Sequence, residues 1–144
     1  MKNKKIITID GPSASGKGLL ARELAKELDF ILLDSGLLYR AYSYCFDKEK
    51  NHDSAMHFFS QLSIEGVTGA MEVFEGNQNI TPALRHENIA LSASKLSSLK
   101  ETRQNLIAFQ RGLANNYGLI ADGRDMGTVV FPDAATKIFL IADI

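Results

Sequence analysis

Short apolar segments alternate with amphipathic ones over the first third of the chain. Residues 5–10 and 30–33 are rich in β-branched and apolar residues, so both are predicted to be buried strands. Between them, leucines recur every fourth residue among charged residues, which predicts an amphipathic helix over 17–28. A second helix is predicted over 37–46. This order of elements is typical of an α/β fold with a parallel sheet flanked by helices.

The middle of the chain has a different pattern. Asp53 is placed to cap a helix over 54–62, and residues 63–81 alternate in polarity and contain three glycines. Two short strands flanking the pair Gly76-Asn77 predict a small antiparallel hairpin sheet. The remaining predicted elements are helices over 83–97 and 99–114 and buried strands over 118–121 and 136–141.

Composition excludes several classes of protein. Sixteen basic and 17 acidic residues among 144 give a net charge of −1, which argues against a broad nucleic-acid surface. No apolar run approaches the length of a membrane span, and the N-terminus lacks the pattern of a signal peptide. Cys45 is the only cysteine, which fits a reducing compartment, so we expect a cytoplasmic protein. We expect Cys45 to be a small core residue, and His52, His57 and His86 to be surface residues without metal-ligand spacing.

A glycine-rich segment lies between the first predicted strand and the first predicted helix. Gly11 and Gly16-Lys17 have the spacing of a phosphate-binding loop, in which backbone N–H groups and a lysine surround the phosphates. The pattern usually continues with Ser or Thr, but here Gly18 follows the lysine. The residues predicted to bind ATP are Gly11, Pro12, Ser13, Ala14, Ser15, Gly16, Lys17 and Gly18.

Two further polar motifs follow predicted strands. Asp34-Ser35-Gly36 leads to Tyr39 and Arg40, and the second motif runs Asp122-Gly123-Arg124-Asp125. The carboxyl ends of parallel strands are where ligands bind in open α/β sheets, and arginine suits a phosphate group. Taken alone, the first motif is equally a helix cap with a solvated arginine, and the second a charged turn.

Together, the three motifs resemble those of bacterial cytidylate kinases, a family of P-loop nucleoside monophosphate kinases. The resemblance rests on the segments 9–18, 33–40 and 120–133, which follow one another in the family's order. It implies a P-loop kinase core formed by 1–58 and 98–144, with a CMP-binding insert over 59–97. It also implies transfer of the γ-phosphoryl group of ATP to CMP or dCMP, with Mg²⁺ held through the ATP phosphates and water rather than by direct protein ligands.

The resemblance assigns roles to individual residues. Those implied to be catalytic are Lys17, Arg40, Asp122 and Arg124, and those implied to bind CMP are Ser35, Tyr39, Arg40, Ser94, Arg103, Arg124 and Asp125. Asp125 would accept from the cytosine amine, which uracil lacks, and Arg103 would donate to the ring. Leu19 stands where the family usually has a threonine. One missing hydroxyl contact there would weaken donor binding by ~0.5–1.5 kcal/mol.

The resemblance also bears on the whole protein. In the family an arginine-bearing lid and a final strand follow the strand at 136–141, so we expect this chain to be a partial kinase, weak or inactive alone. The intact protein is expected to be a monomer whose partners are the small molecules ATP and CMP or dCMP, with no nucleic acid or membrane partner. The alternatives are a nucleotide-binding module without catalysis and a different small-molecule kinase on the same core.

Overall fold

Strands from the two ends of the chain form one sheet. The computed structural model describes residues 3–12, 15–67, 69–114 and 118–141. The elements, in chain order, are β1 (Asn3–Asp10), α1 (Lys17–Leu28), β2 (Ile31–Asp34), α2 (Ser35–Glu49), α3 (His52–Gln61), β3 (Ser63–Val67), β4 (Ala70–Glu75), β5 (Gln78–Asn79), α4 (Thr81–Leu84), α5 (Glu87–Leu96), α6 (Lys100–Leu113), β6 (Leu119–Gly123), a π-helix (Met126–Val130) and β7 (Ala134–Phe139). Four strands lie side by side in the order β2-β6-β1-β7, and each of the three pairs is parallel. The predicted α/β class with a parallel sheet is confirmed.

The register of this sheet aligns the carboxyl ends of its strands. Asp10 at the end of β1 pairs with Gly123, and Asp34 at the end of β2 pairs with Asp122. The sequence motifs that follow β1, β2 and β6 therefore leave the sheet at one edge, as the parallel arrangement requires.

The helix α1 packs on this sheet through small residues. Ala21 and Ala25 are fully buried in a cluster with Ile9, Leu32 and Ile120. The leucines that predicted the amphipathic face are only partly buried, and Leu28 at the helix end is 42% exposed. Alanine leaves little side chain between a helix and a sheet, so the closest line of contact runs through the alanines and the leucines flank it.

A second sheet contains β3, β4 and β5. The β4–β5 pair is antiparallel, with Glu75 opposite Gln78 across the predicted turn at Gly76-Asn77. Gly76 has a φ of 61°, a conformation that glycine adopts without a steric penalty. The hairpin prediction is confirmed at this turn.

The helix predicted over 83–97 is two helices. Thr81 ties the first turn of α4 to β4, because its hydroxyl accepts from the Val73 N–H at 2.8 Å. His86 then has an extended backbone, with ψ at 143°, and caps the start of α5. The first helix ends at Leu84 with Arg85 as its C-cap, and the extended His86 separates it from α5.

The contacts divide the chain into two units. Unit 1 contains 1–35, 66–71 and 110–144, and unit 2 contains 36–65 and 72–109. Unit 1 carries the parallel sheet and α1, whereas unit 2 carries most of the remaining helices. The predicted limits of the core, 1–58 with 98–144, and of the insert, 59–97, follow family resemblance and stay a prediction.

An aromatic cluster forms the interior of unit 2. Tyr42 is fully buried, and its ring lies 6.3 Å from that of Phe59, which in turn contacts Phe109 at 4.9 Å between centroids. The hydroxyl of Tyr42 is 2.5 Å from Nδ1 of His52. His52, expected at the surface, is partly exposed, with 21% of its side chain accessible, and this bond to a buried tyrosine covers part of its ring.

Two local predictions in unit 2 are corrected. The cap of α3 is Asn51, whose side chain accepts from the Ser54 N–H at 2.8 Å, and Asp53 lies inside the first turn. Leu99, the first residue of the helix predicted over 99–114, instead precedes α6 in the link from α5 and is 43% exposed.

Cys45 is expected to be inert in the folded protein. Its side chain is fully buried, and burial raises the pKa of the thiol to about 12. At pH 8 this leaves on the order of 10³-fold less thiolate than an exposed cysteine has. Labelling with a thiol reagent should be slow in buffer and rapid in denaturant, and fast labelling of the folded chain would contradict the burial.

Within the described residues, no helix is long and apolar enough to span a membrane.

Candidate nucleotide-binding site

The loop between β1 and α1 is stabilised by its own backbone. The N–H of Ser15 donates to the carbonyl of Pro12 at 3.0 Å, and the Ser15 hydroxyl donates to the same oxygen at 2.6 Å. Gly16 adopts the left-handed conformation, with φ at 83°, directly before the helix. Two predicted loop residues, Ser13 and Ala14, lie outside the described residues. The described part has the turn that a phosphate loop needs between strand and helix.

Gly11 is required by close packing at the base of this loop. A Cβ at this position would lie 2.9 Å from the carbonyl oxygen of Leu140 and 3.1 Å from the Ser15 hydroxyl. A side chain would therefore displace either the backbone after β7 or the loop itself. The first glycine of the motif is explained by this approach of two backbones.

The amino end of α1 is suited to an anion. Gly16 provides no side-chain cap, and the first turn of the helix contains no acidic residue. The helix dipole therefore leaves partial positive charge at this end, where Lys17 adds a full charge. A phosphate group has the matching charge and enough acceptor atoms for the backbone donors.

Lys17 forms an ion pair with Asp122 in the structure. Its Nζ atom lies 2.9 Å from Oδ1 of Asp122, and the two side chains are 18% and 12% exposed. The second carboxylate oxygen lies on the side of Gly18, where an added Cβ would be 3.9 Å from it. The end of β6 thus places a carboxylate directly beside the phosphate loop.

The environment of Asp122 disfavours its charge. Burial raises the pKa of this carboxyl above its ordinary value, and the nearby Asp34 raises it further, although Lys17 opposes both. The net shift is upward, so the folded protein holds the proton more tightly than the unfolded chain does. The stability that this proton contributes is lost as pH rises from below the ordinary value through the folded pKa.

The unsubstituted chain should therefore lose stability as Asp122 ionises with rising pH. A variant with a neutral amide at this position should not show that loss. We expect the melting temperature of Asp122→Asn, relative to the unsubstituted chain, to increase between pH 3.5 and pH 7. The exposed Asp133→Asn is the matched control and should show no such trend. Melting curves across this range measure both variants. A difference for Asp122→Asn that decreases toward pH 7 would contradict the direction of the shift.

Ser35 and Gly123 meet at the sheet edge. A Cβ on Gly123 would lie only 2.5 Å from Cβ of Ser35, so the glycine allows the two motifs to touch. Ser35 is buried at 4% exposure and begins α2, two residues earlier than predicted. The motif after β2 is thereby fixed against the motif after β6.

Arg124 and Asp125 follow β6 and are exposed. Asp125 has φ at 55° and ψ at 30°, a left-handed conformation that is uncommon outside glycine, although asparagine and aspartate adopt it more readily than other residues do. A π-helix follows it immediately, closed by the bond from Phe131 N–H to the Met126 carbonyl at 2.7 Å. Isolated π-helical turns occur frequently at functional sites. The sequence shows a strand end here but gives no sign of the π-helix.

Two residues that the sequence analysis did not single out hold this π-helix. The carboxylate oxygens of Asp10 accept from the N–H groups of Met126 and Gly127 at 2.8 and 2.9 Å. The guanidinium of Arg111 donates to the carbonyls of Val129 and Val130 at 2.8 and 2.9 Å. An acidic residue ending a buried strand is a weak signal for the first, and nothing in the sequence indicates the second.

The other residues predicted to bind CMP lie in unit 2. Tyr39 and Arg40 are half-buried on α2, Ser94 is exposed on α5 and Arg103 is half-buried on α6. Each lies on a helix, as predicted. Their shared role in binding one nucleotide stays a prediction.

The described residues fit a magnesium ion that arrives with its nucleotide. They contain no group of three or more His, Cys, Asp or Glu side chains that would hold a metal ion by themselves. Asp122, beside the lysine of the loop, supplies a carboxylate of the kind that Mg²⁺ uses together with substrate phosphates.

Comparison with known proteins decides the family. The cytidylate kinase family model matches residues 7–144. This chain belongs to the cytidylate kinase family. It is 43% identical to a cytidylate kinase of Pseudomonas syringae pv. tomato over 95% of this chain, and 43% identical to one of Acinetobacter baumannii over 96%. It is also 41% identical, over its full length, to a bifunctional pantoate ligase/cytidylate kinase of Prochlorococcus marinus subsp. pastoris.

The relatives are longer than this chain. It spans 63% and 64% of the two cytidylate kinases and 30% of the bifunctional protein. The predicted membership of the family is confirmed, and with it the P-loop kinase core inferred from the resemblance. The match spans both strand-end motifs, and the roles assigned to their residues stay a prediction.

Proposed function

We propose that the protein transfers the γ-phosphoryl group of ATP to CMP or dCMP. The single observation that carries the proposal is the pairing of Lys17 with Asp122. It brings the cation of the phosphate loop to the strand end that also presents Arg124 and Asp125. The proposed ATP site and the motif proposed to bind CMP then lie at one edge of the sheet. Membership of the cytidylate kinase family supports the choice of substrates.

To bind ATP, Lys17 would leave its ion pair with Asp122 and contact the ATP phosphates instead. In the structure Asp122 pairs with this lysine, and the ATP phosphates would compete for the same ammonium group. The loop amides and the amino end of α1 would bind the same phosphates. Mg²⁺, bound with ATP, would neutralise phosphate charge, and Asp122 would face it through water.

On the acceptor side, Arg124 and Arg40 would bind the phosphate of CMP, with Ser35 and Tyr39 beside it. Asp125 would accept a hydrogen bond from the cytosine amine. Ser94 and Arg103 would bind the rest of the base. Uracil presents a carbonyl in place of the amine, so the Asp125 carboxylate would be left facing an acceptor, which is a strong basis for discrimination.

The reaction would be an in-line displacement. A phosphate oxygen of CMP attacks the γ-phosphorus while its bond to the β,γ-bridging oxygen breaks, giving CDP and ADP. The CMP phosphate is already largely ionised at neutral pH, so a strong general base is not needed. The protein would contribute position and positive charge at the transferring group.

Nucleotide-dependent thermal stability tests this proposal. At a ligand concentration about a hundred times Kd, binding stabilises the folded state by about 2.7 kcal/mol. We expect CMP and dCMP to raise the melting temperature more than UMP and AMP do at equal concentration. Similar increases with all four would favour a nucleotide-binding module without this specificity. A coupled assay with ATP and CMP then measures turnover, and the absence of CMP-dependent ADP formation would count against the proposed reaction.

A further inference from the structure

The π-helix after β6 is bound at both ends by residues of opposite charge. At its start, the Asp10 carboxylate accepts two N–H bonds, and at its finish the Arg111 fork donates to two carbonyls. Each charge has the sign that complements the dipole at that end of a helical turn. Both side chains come from distant parts of the chain, β1 and α6, and all of these groups belong to unit 1.

Asp125, whose backbone is left-handed, directly precedes the π-helix and is hydrogen-bonded to it. The carbonyl of Asp125 accepts from the N–H groups of both Val129 and Val130, at 2.9 and 3.0 Å. The left-handed backbone of Asp125 is therefore tied to the far end of the same turn, where Arg111 binds. An uncommon conformation of a non-glycine residue persists only where its surroundings enforce it.

The π-helix packs closely on the residues beneath it. Met126 is fully buried and Val130 is 4% exposed. A Cβ on Gly127 would approach the Thr8 hydroxyl to 2.7 Å, so the turn lies directly against β1. Arg124 and Asp125 remain exposed above this buried base. The two exposed side chains therefore project from backbone that is packed on buried residues. Precise positioning of reacting groups requires such packing.

We propose that Asp10 and Arg111 are positioning residues that set the backbone of Asp125 and thereby the preference for cytosine over uracil. The inference rests on the proposed function, since it assumes that Asp125 faces the base. Neither side chain needs to touch the nucleotide. Their effect is transmitted through the four hydrogen bonds to the π-helix.

The test is Arg111→Lys in the full chain. Lysine keeps the charge and most of the stem but lacks the fork that binds two carbonyls. We expect Kd for CMP to rise about ten-fold, Kd for UMP to change little, and Kd for ATP to be unchanged. Lys26→Ala, which removes a half-exposed cation of α1, is the control and should preserve all three values.

Amide hydrogen exchange provides a second measurement on the same variant. Exchange at Val129, Val130 and Phe131 should accelerate, whereas exchange in the centre of β1 should not. A merely structural role would lower the melting temperature and weaken CMP and UMP alike. If Arg111→Lys fails to fold, Asp10→Asn, which keeps one acceptor oxygen for the turn, is measured for the same ratio.

The outcomes separate the two proposals. If the unsubstituted chain binds CMP and UMP equally, the proposed function fails. If it prefers CMP and Arg111→Lys retains that preference with faster exchange in the turn, the positioning role is overturned. A reduced preference with unchanged ATP binding supports it.

Discussion

A Lys17→Met variant is expected to lose ATP binding by about ten- to a hundred-fold, since a hydrogen bond to a charged group contributes ~1.5–3 kcal/mol. Methionine keeps the length and apolar stem of the side chain but has no charge. CMP binding should be nearly unchanged, because its proposed contacts lie elsewhere. Titration calorimetry with ATP and CMP measures the two affinities separately.

The same substitution also affects the apo protein. Asp122 would lose the cation 2.9 Å away, and its pKa, already raised by burial, would rise further. The double variant Lys17→Met/Asp122→Asn should regain stability without regaining ATP binding, which separates the two roles of the lysine. Lys26→Met is the matched control on the same helix. An unchanged Kd for ATP in Lys17→Met would refute the donor site.

Asp125→Asn is expected to weaken CMP binding by about ten-fold or more and to leave UMP binding nearly unchanged, through loss of a charged acceptor for the cytosine amine. Asparagine tolerates the left-handed backbone at this position, so the turn should keep its shape. Asp125→Ala would add a backbone penalty of about 1–2 kcal/mol to the lost contact.

The comparison of these two variants isolates recognition from strain. Competition binding gives the ratio of the CMP and UMP affinities, and thermal unfolding gives the stability difference. Asp133→Asn, the same change at an exposed position a short distance along the chain, is the control. Equal losses for CMP and UMP in Asp125→Asn would contradict base recognition by this carboxylate.

The features that sequence predicted are those encoded by short-range patterns. The phosphate loop is readable because its glycines, its lysine and the flanking strand and helix lie within about two dozen residues. The turn at Gly76-Asn77 is predictable for the same reason. Parallel pairing follows from the order of elements.

The features that sequence missed depend on contacts between distant segments. Asp10 and Arg111 gain their roles only when β1 and α6 meet the same turn, and neither residue has a local signature. The alanines of α1 were overlooked because leucine dominates a hydrophobic pattern, whereas the sheet selects the smaller side chain at the closest approach. The partial burial of His52 depends on its tyrosine partner, which lies on another helix.

The strand order has a consequence for how this protein is made. β1 has β6 and β7 as neighbours, and β2 pairs with β6, so the parallel sheet cannot form until β6 has been translated. During synthesis, the phosphate loop emerges from the ribosome long before the strands that support it. Such non-local pairing slows folding, because the entropy of closing a long loop is lost before contacts compensate. We therefore expect the nascent N-terminal half to lack nucleotide affinity, which appears only once β6 has been translated.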